Sequence, residues 1–99
     1  MTVLEATAPT VLHLSGDIDI FTTADLRRRI LHALDPRIDE LILDLSAVTF
    51  CGAGGLGVLL HAQRRARMMG ITLSLSGVTP RMARLLHITG LTDRFPVAD

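Results

Sequence analysis

The chain has 99 residues and a hydrophobic fraction of 48%, which together favour one compact domain over a disordered segment. Its formal net charge at neutral pH is zero, because ten acidic residues balance ten arginines, so no global field would draw it to nucleic acid or to an anionic membrane. A single cysteine excludes an intramolecular disulfide and a thiolate metal cluster. The sequence shows neither a leader nor an apolar run near the ~18 residues of a membrane span, which predicts a cytoplasmic chain without direct membrane insertion.

The first third of the chain predicts two short strands and a helix. Residues 11–14 form a β-like run that can pair with residues 3–4 across a turn, and residues 15–19 leave the strand. Thr22 is placed to begin the helix as its N-cap, and residues 35–36 end it. Spacings of three and four put the apolar side chains of this helix on one face: Leu26, Ile30, Ala33 and Leu34.

The middle of the chain predicts a strand, a glycine-rich turn and a second helix. Residues 41–45 are an apolar run too short for a helix, so we interpret them as a buried parallel strand, and residues 46–50 cross from its end to the turn. The helix covers residues 54–69 and ends at Gly70. Its inner face consists mostly of small side chains: Gly55, Val58, Leu59, Ala62, Ala66 and Met69.

The last third predicts one more strand and one more helix. Residues 71–76 alternate with period two, which is typical of a strand with one buried face. Thr79 and Pro80 begin a helix that Gly90 ends, and residues 95–97 can add a terminal edge strand. The order ββαβαβα(β) predicts an α/β fold with a mixed sheet of four to five strands, antiparallel at its start and parallel at its centre, with right-handed crossovers.

Four of the eight glycines lie within residues 52–57, between the strand and the helix of the middle segment. A helix that begins there presents unpaired backbone N–H groups, which suit an anion or a closely approaching partner backbone. The segment also matches the dinucleotide motif G-x-G-x-x-G. However, the strand is expected to end near Leu45, which leaves six residues before the first glycine, and residues 73–77 lack the expected acid. The chain has no lysine, which excludes a P-loop.

No other cluster of side chains predicts chemistry. Cys51 follows apolar residues, so we interpret it as a buried structural thiol. The four histidines are scattered without the spacing of metal ligands. Asp17 at the strand exit is interpreted as a turn former. We therefore expect no metal site, no cofactor and no catalytic set, and hence no enzyme.

Three segments taken together carry a family resemblance: residues 14–22, residues 43–50 and residues 55–60. In this order and spacing they strongly resemble the STAS domain family, and most closely its bacterial anti-sigma-factor antagonists. Residues 85–91 are also similar to the last helix of that family. The resemblance covers nearly the whole chain and implies a single STAS-like domain over residues 1–99 that takes part in transcription regulation.

The resemblance implies a protein-binding function. Family members bind an anti-sigma factor, often a kinase of the histidine-kinase-like ATPase class, and so free a sigma factor, while phosphorylation of one serine in the turn breaks the complex. In this chain the serine position is Ala53, and its neighbours Gly52 and Gly54 replace the family's aspartate and second serine. Because Ala53 has no hydroxyl, the resemblance implies an antagonist that cannot be switched there.

The resemblance also implies a docking surface that joins the glycine turn to the exit of the first strand. Its expected members include an exposed leucine, Leu56 or Leu60. The residues expected to contact the partner are Asp19, Thr22, Gly52, Ala53, Gly54, Gly55, Leu56, Gly57 and Leu60. On this view, Gly55→Arg abolishes binding and leaves a normal melting curve.

Other functions stay open at this point. A STAS scaffold or transporter-associated subunit would co-purify with a permease and its ATPase. A small nucleotide-binding sensor would be stabilised by ATP, GTP or NAD. A strand edge near the N-terminus also leaves pairing with a second copy of the chain open.

Overall fold

The computed structural model describes residues 9–19 and 21–98. Strands and helices alternate along these residues, and a short 3₁₀ helix follows the last of them. The elements are β1 (Thr10–Ile18), α1 (Thr23–Ala33), β2 (Glu40–Cys51), α2 (Ala53–Met68), β3 (Thr72–Ser76), α3 (Pro80–Ile88) and the 3₁₀ helix (Thr92–Arg94). The strand order in the sheet is β1-β2-β3, and both neighbouring pairs are parallel.

The central strand β2 is longer than the sequence predicts. It runs to Cys51 instead of ending near Leu45, because β1 also continues to Ile18 and pairs with it there. Register shifts interrupt this pairing between His13 and Ser15 and again between Gly16 and Asp17. The expectation that residues 15–19 leave the strand is therefore wrong up to Ile18.

The predicted count of four to five strands is not confirmed. Among the described residues the sheet has three strands, all parallel, and one isolated parallel bridge joins Leu75 to Val97. Backbone N–H groups of Leu75 and Ala98 donate to Pro96 and Leu75 at 2.9 and 2.8 Å around this bridge. The predicted terminal edge strand is thus reduced to a single bridge, and the predicted antiparallel strand at residues 3–4 lies outside the described residues.

One face of the sheet carries the apolar core. In β2, Leu41, Leu43 and Leu45 alternate with polar or half-buried residues and are almost completely buried, as strand geometry requires of a covered face. Helices α1 and α2 contact the sheet and each other. The predicted inner face of α1 is confirmed at Leu26, Ile30 and Leu34, which are buried, whereas Ala33 is half-buried. In the described part of the chain, no helix is long and apolar enough to cross a membrane.

The opposite face of the sheet carries paired polar side chains beside the apolar Val11 and Ile42. The Asp44 carboxylate accepts from the Ser46 backbone N–H at 2.9 Å and lies 2.8 Å from Nδ1 of His13. The hydrogen bonds from Ser46 make the largest contribution to holding the pKa of Asp44 below its usual range, and His13 makes a smaller one. Ser74 breaks the alternation expected of β3, because it is buried while its hydroxyl donates to the Glu40 carboxylate at 3.0 Å. A buried hydroxyl satisfied in this way is tolerated.

Helix α3 begins and ends where the sequence predicts. The Thr79 hydroxyl accepts from the backbone N–H of Met82 at 3.2 Å, Pro80 is the first helical residue, and Gly90 follows with a φ of +74°. Met82 and Leu86 join the buried core. The cap fixes the start of α3 beside the end of β2.

Thr79→Ala is expected to lower the free energy of unfolding by about 1 kcal/mol, because the N–H of Met82 loses its acceptor. For a domain of this size, that corresponds to a melting temperature lower by about 4–8 °C. Circular dichroism melts would measure the loss, and Thr79→Ser is the control because it keeps the hydroxyl. Equal melting of the alanine and serine variants would contradict the capping role.

Candidate functional site

The glycine turn connects β2 directly to α2. Cys51 is the last residue of β2, Gly52 is the N-cap of α2 with extended backbone angles, and Ala53 begins the helix. The N–H of Gly52 donates to the carbonyl of Ile18 at 2.9 Å, which ties the turn to the end of β1. The expected gap of six residues between strand and turn is therefore wrong, although residues 73–77 still lack the acid that a dinucleotide site uses.

The turn is partly exposed and partly buried. Ala53, Gly54 and Gly57 are exposed and Gly52 is half-buried, so partner atoms can reach the start of α2. The docking hypothesis expected Leu56 or Leu60 to be exposed, but Leu56 is only 5% exposed and Leu60 is half-buried. Helix α2 packs against both the sheet and α1. More of its surface is therefore buried than the single face that contacts the sheet.

Gly55 serves the packing of the turn. A Cβ at this position would lie 2.5 Å from Cγ2 of Ile18 and 2.8 Å from Sγ of Cys51, closer than real Cβ atoms come to other atoms. A Cβ at Gly57 would meet nothing within 4 Å. Gly55 therefore lets the helix approach the ends of β1 and β2, while Gly57 faces outward.

The exit of β1 folds into a tight loop next to this turn. The Thr22 hydroxyl accepts from the N–H of Asp19 at 2.9 Å and donates to the carbonyl of Asp17 at 3.1 Å. The Asp19 carboxylate accepts from the N–H of Phe21 at 2.9 Å. Thr22 thus occupies the predicted N-cap position, but its side chain holds the loop and does not cap α1.

The structure brings the two predicted parts of the docking surface together. The Cγ2 atom of Thr23 lies 3.5 Å from where a Cβ of Gly54 would be, and Gly52 is hydrogen-bonded to the residue before Asp19. Strand ends that are neighbours in a parallel sheet place their exit loops side by side. Asp19, Thr22 and the exposed turn residues therefore share one edge of the molecule.

Sequence reasoning missed the aromatic side chains that flank the turn. Phe21 is 86% exposed and Phe50 is 48% exposed, and carbon atoms of the Phe50 ring lie 3.5 and 3.9 Å from where a Cβ of Gly52 would be. No local pattern in the sequence marked Phe50, because its position follows only from the true end of β2, where successive side chains point to opposite faces and Cys51 is the buried one. Thr49, the residue before Phe50, donates to the Asp17 carboxylate at 2.6 Å.

Cys51 is buried at the base of the turn. Desolvation raises the pKa of its thiol, which therefore stays protonated at neutral pH and is a poor nucleophile. The thiol lies 3.6 Å from the Gly52 carbonyl. Within residues 9–19 and 21–98, no group of three or more histidine, cysteine, aspartate or glutamate side chains could hold a metal ion.

Comparisons with known proteins match this chain along almost its whole length. The family model described as "Mlab, STAS domain" matches residues 1–97. The chain is 32% identical over 98 residues to the anti-sigma-F factor antagonist RsfB of Mycobacterium tuberculosis, covering 96% of this chain and 77% of that protein. It is 29% identical over 90 residues to the anti-sigma F factor antagonist of Paenibacillus polymyxa, covering 90% and 77%. A crystal structure of an anti-sigma factor antagonist from Mycobacterium paratuberculosis superposes with a TM-score of 0.80 at 29% identity, covering 97% and 81%.

Proposed function

This chain belongs to the STAS domain family, and we propose that it is an anti-sigma-factor antagonist, a binding module that captures an anti-sigma factor and so frees a sigma factor. The relatives that carry this name cover most of the chain. The observation that supports the proposal best is the exposure of Ala53, Gly54 and Gly57 at the start of α2. A backbone with so few side chains lets a partner approach closely.

We define the docking face as the exposed or half-buried residues of this edge: Asp19, Thr22, Gly52, Ala53, Gly54, Gly57 and Leu60. Gly55 and Leu56 are buried, so they pack beneath the docking face and are not part of it. The first N–H groups of α2 have no partner within the helix, so they suit a carbonyl or carboxylate of the partner. The Asp19 carboxylate adds one acceptor on the neighbouring loop.

The partner in this proposal is an anti-sigma factor of the histidine-kinase-like ATPase class, and the complex does not respond to its kinase activity. Residues 50–57 contain no hydroxyl side chain, so the turn offers no phosphate acceptor. Thr49 is the nearest hydroxyl residue along the chain, and its hydroxyl donates to the Asp17 carboxylate at 2.6 Å. A phosphate there would bring a charge of about −1.5 to −2 against that carboxylate.

Mixing the purified chain with anti-sigma factor kinases from the same organism should give a complex that ATP does not dissociate. Intact-mass spectrometry should find the chain unmodified after incubation with ATP. Ala53→Ser should restore an acceptor, so that this variant gains a phosphate and leaves the complex when ATP is added.

Ala24→Ser is the matched control, because Ala24 is also exposed in the first turn of a helix but lies outside the docking face. It should stay unmodified and bound. The absence of a complex with any anti-sigma factor would refute the proposed binding function. A phosphate on residues 46–57 of the unaltered chain would refute only the claim that phosphorylation cannot switch the complex.

A further inference from the structure

An apolar groove of about 370 Å³ lies between the end of β2 and helix α3, beside the docking face, and none of the docking-face residues lines it. Its apolar walls are formed by five side chains: Val48, Phe50, Met82, Leu85 and Ile88. Phe50 is 48% exposed and Ile88 is 70% exposed, so the groove is open to solvent along these two residues. Ligand sites in proteins have volumes of about 300–1,000 Å³ and are lined mainly by such residues.

Among the residues that the structure describes, the charged side chains that line the groove are two arginines, Arg81 and Arg84. Both are exposed, and neither forms a salt bridge within the part of the chain that the structure describes. Arg81 directs Nη1 towards the carbonyl of Thr49 at 3.4 Å, which places its guanidinium at the β2 side of the groove. The groove therefore combines apolar walls with two positive charges at its rim that no described acidic side chain pairs.

We propose that this groove binds a small amphiphilic anion, an aliphatic carboxylate with a chain of medium length. Its chain would lie against Phe50, Leu85 and Ile88, which removes their exposed apolar surface from water. Its carboxylate would meet Arg81 and Arg84, because the planar guanidinium pairs with both oxygens of a carboxylate. Among the described residues the lining holds two arginines and no acidic side chain, which favours an anion over a neutral or cationic ligand.

The test compares octanoate with 1-octanol, which has the same apolar chain without the charge. In a ¹H–¹⁵N NMR titration of the full chain, octanoate should bind with shifts centred on residues 48–51 and 81–88. It should bind at least about tenfold more tightly than octanol, as expected when charge-assisted hydrogen bonds are lost. The double variant Arg81→Ala/Arg84→Ala should reduce octanoate affinity to that of octanol.

Ile88→Asp should abolish octanoate binding, and Met68→Asp is its matched control because Met68 is 80% exposed on α2 and does not line the groove. Both substitutions replace an exposed side chain, and melting curves would verify that both variants fold. Equal binding of octanol and octanoate, or an unchanged affinity after removal of both arginines, would overturn the proposal. No octanoate binding, with weaker anti-sigma factor binding by the arginine variant, would instead assign the groove to the protein partner.

Discussion

Gly55→Ala should destabilise the protein, whereas Gly57→Ala, two residues further along the same helix, should stabilise it. The new Cβ at Gly55 would lie 2.5 Å from Ile18 Cγ2 and 2.8 Å from Cys51 Sγ. Overpacking of this kind costs about 1–3 kcal/mol, more than the ~1 kcal/mol that alanine gains over glycine in a helix. A Cβ at Gly57 would meet no atom within 4 Å, so only the gain in helix propensity remains there.

Urea unfolding followed by circular dichroism would measure both changes in the free energy of unfolding. Each change of 1 kcal/mol should move the melting temperature by about 4–8 °C, in opposite directions for the two variants. Gly55→Val should be worse than Gly55→Ala, since it adds two more carbons to the same contact. A Gly55→Ala variant as stable as the unaltered chain would contradict the close packing. The expectation that Gly55→Arg leaves a normal melting curve is incompatible with this geometry.

Ala53→Glu should abolish the proposed complex with the anti-sigma factor and leave the fold intact. Ala53 is exposed at the first position of α2, where a glutamate is stabilised by about 0.3–1 kcal/mol through the helix dipole. The side chain would place bulk and negative charge in the centre of the docking face. We expect an affinity loss of about 100-fold or more, equivalent to about 2.7 kcal/mol.

Isothermal titration calorimetry with the anti-sigma factor would measure this loss. Met68→Glu is the control, because Met68 is 80% exposed at the opposite end of α2 and should bind unchanged. Gly57→Glu provides a second, independent disruption of the docking face. If both Ala53→Glu and Gly57→Glu bind as tightly as the unaltered chain, the partner uses another surface.

The helices could be predicted from sequence because their signals are local. The apolar spacing of α1 and the cap at Thr79 involve residues within a few positions of one another. The length of β2 could not be predicted in this way. Residues 46–50 are exposed or half-buried and carry no apolar alternation, and they are held in a strand by pairing with a segment about 30 residues earlier.

The sequence could predict which segments lie near the glycine turn, but not which of their side chains reach the surface. The resemblance placed Asp19 and Thr22 with the glycine turn, and the fold brings them to one edge. The burial of Leu56 depends on α1, and the groove beside Phe50 depends on α3. Both require knowledge of how distant elements pack, which no short stretch of residues contains.

The backbone hydrogen bond from Gly52 to Ile18 and the tight fit of Gly55 have a thermodynamic consequence for recognition. They fix the start of α2 to the ends of two strands through main-chain and core contacts, before any partner arrives. Binding of the proposed anti-sigma factor at this edge should then have little loop entropy to remove, because these contacts already hold the start of α2 in place. Differences in affinity among competing partners should consequently appear in how fast they leave and not in how fast they arrive.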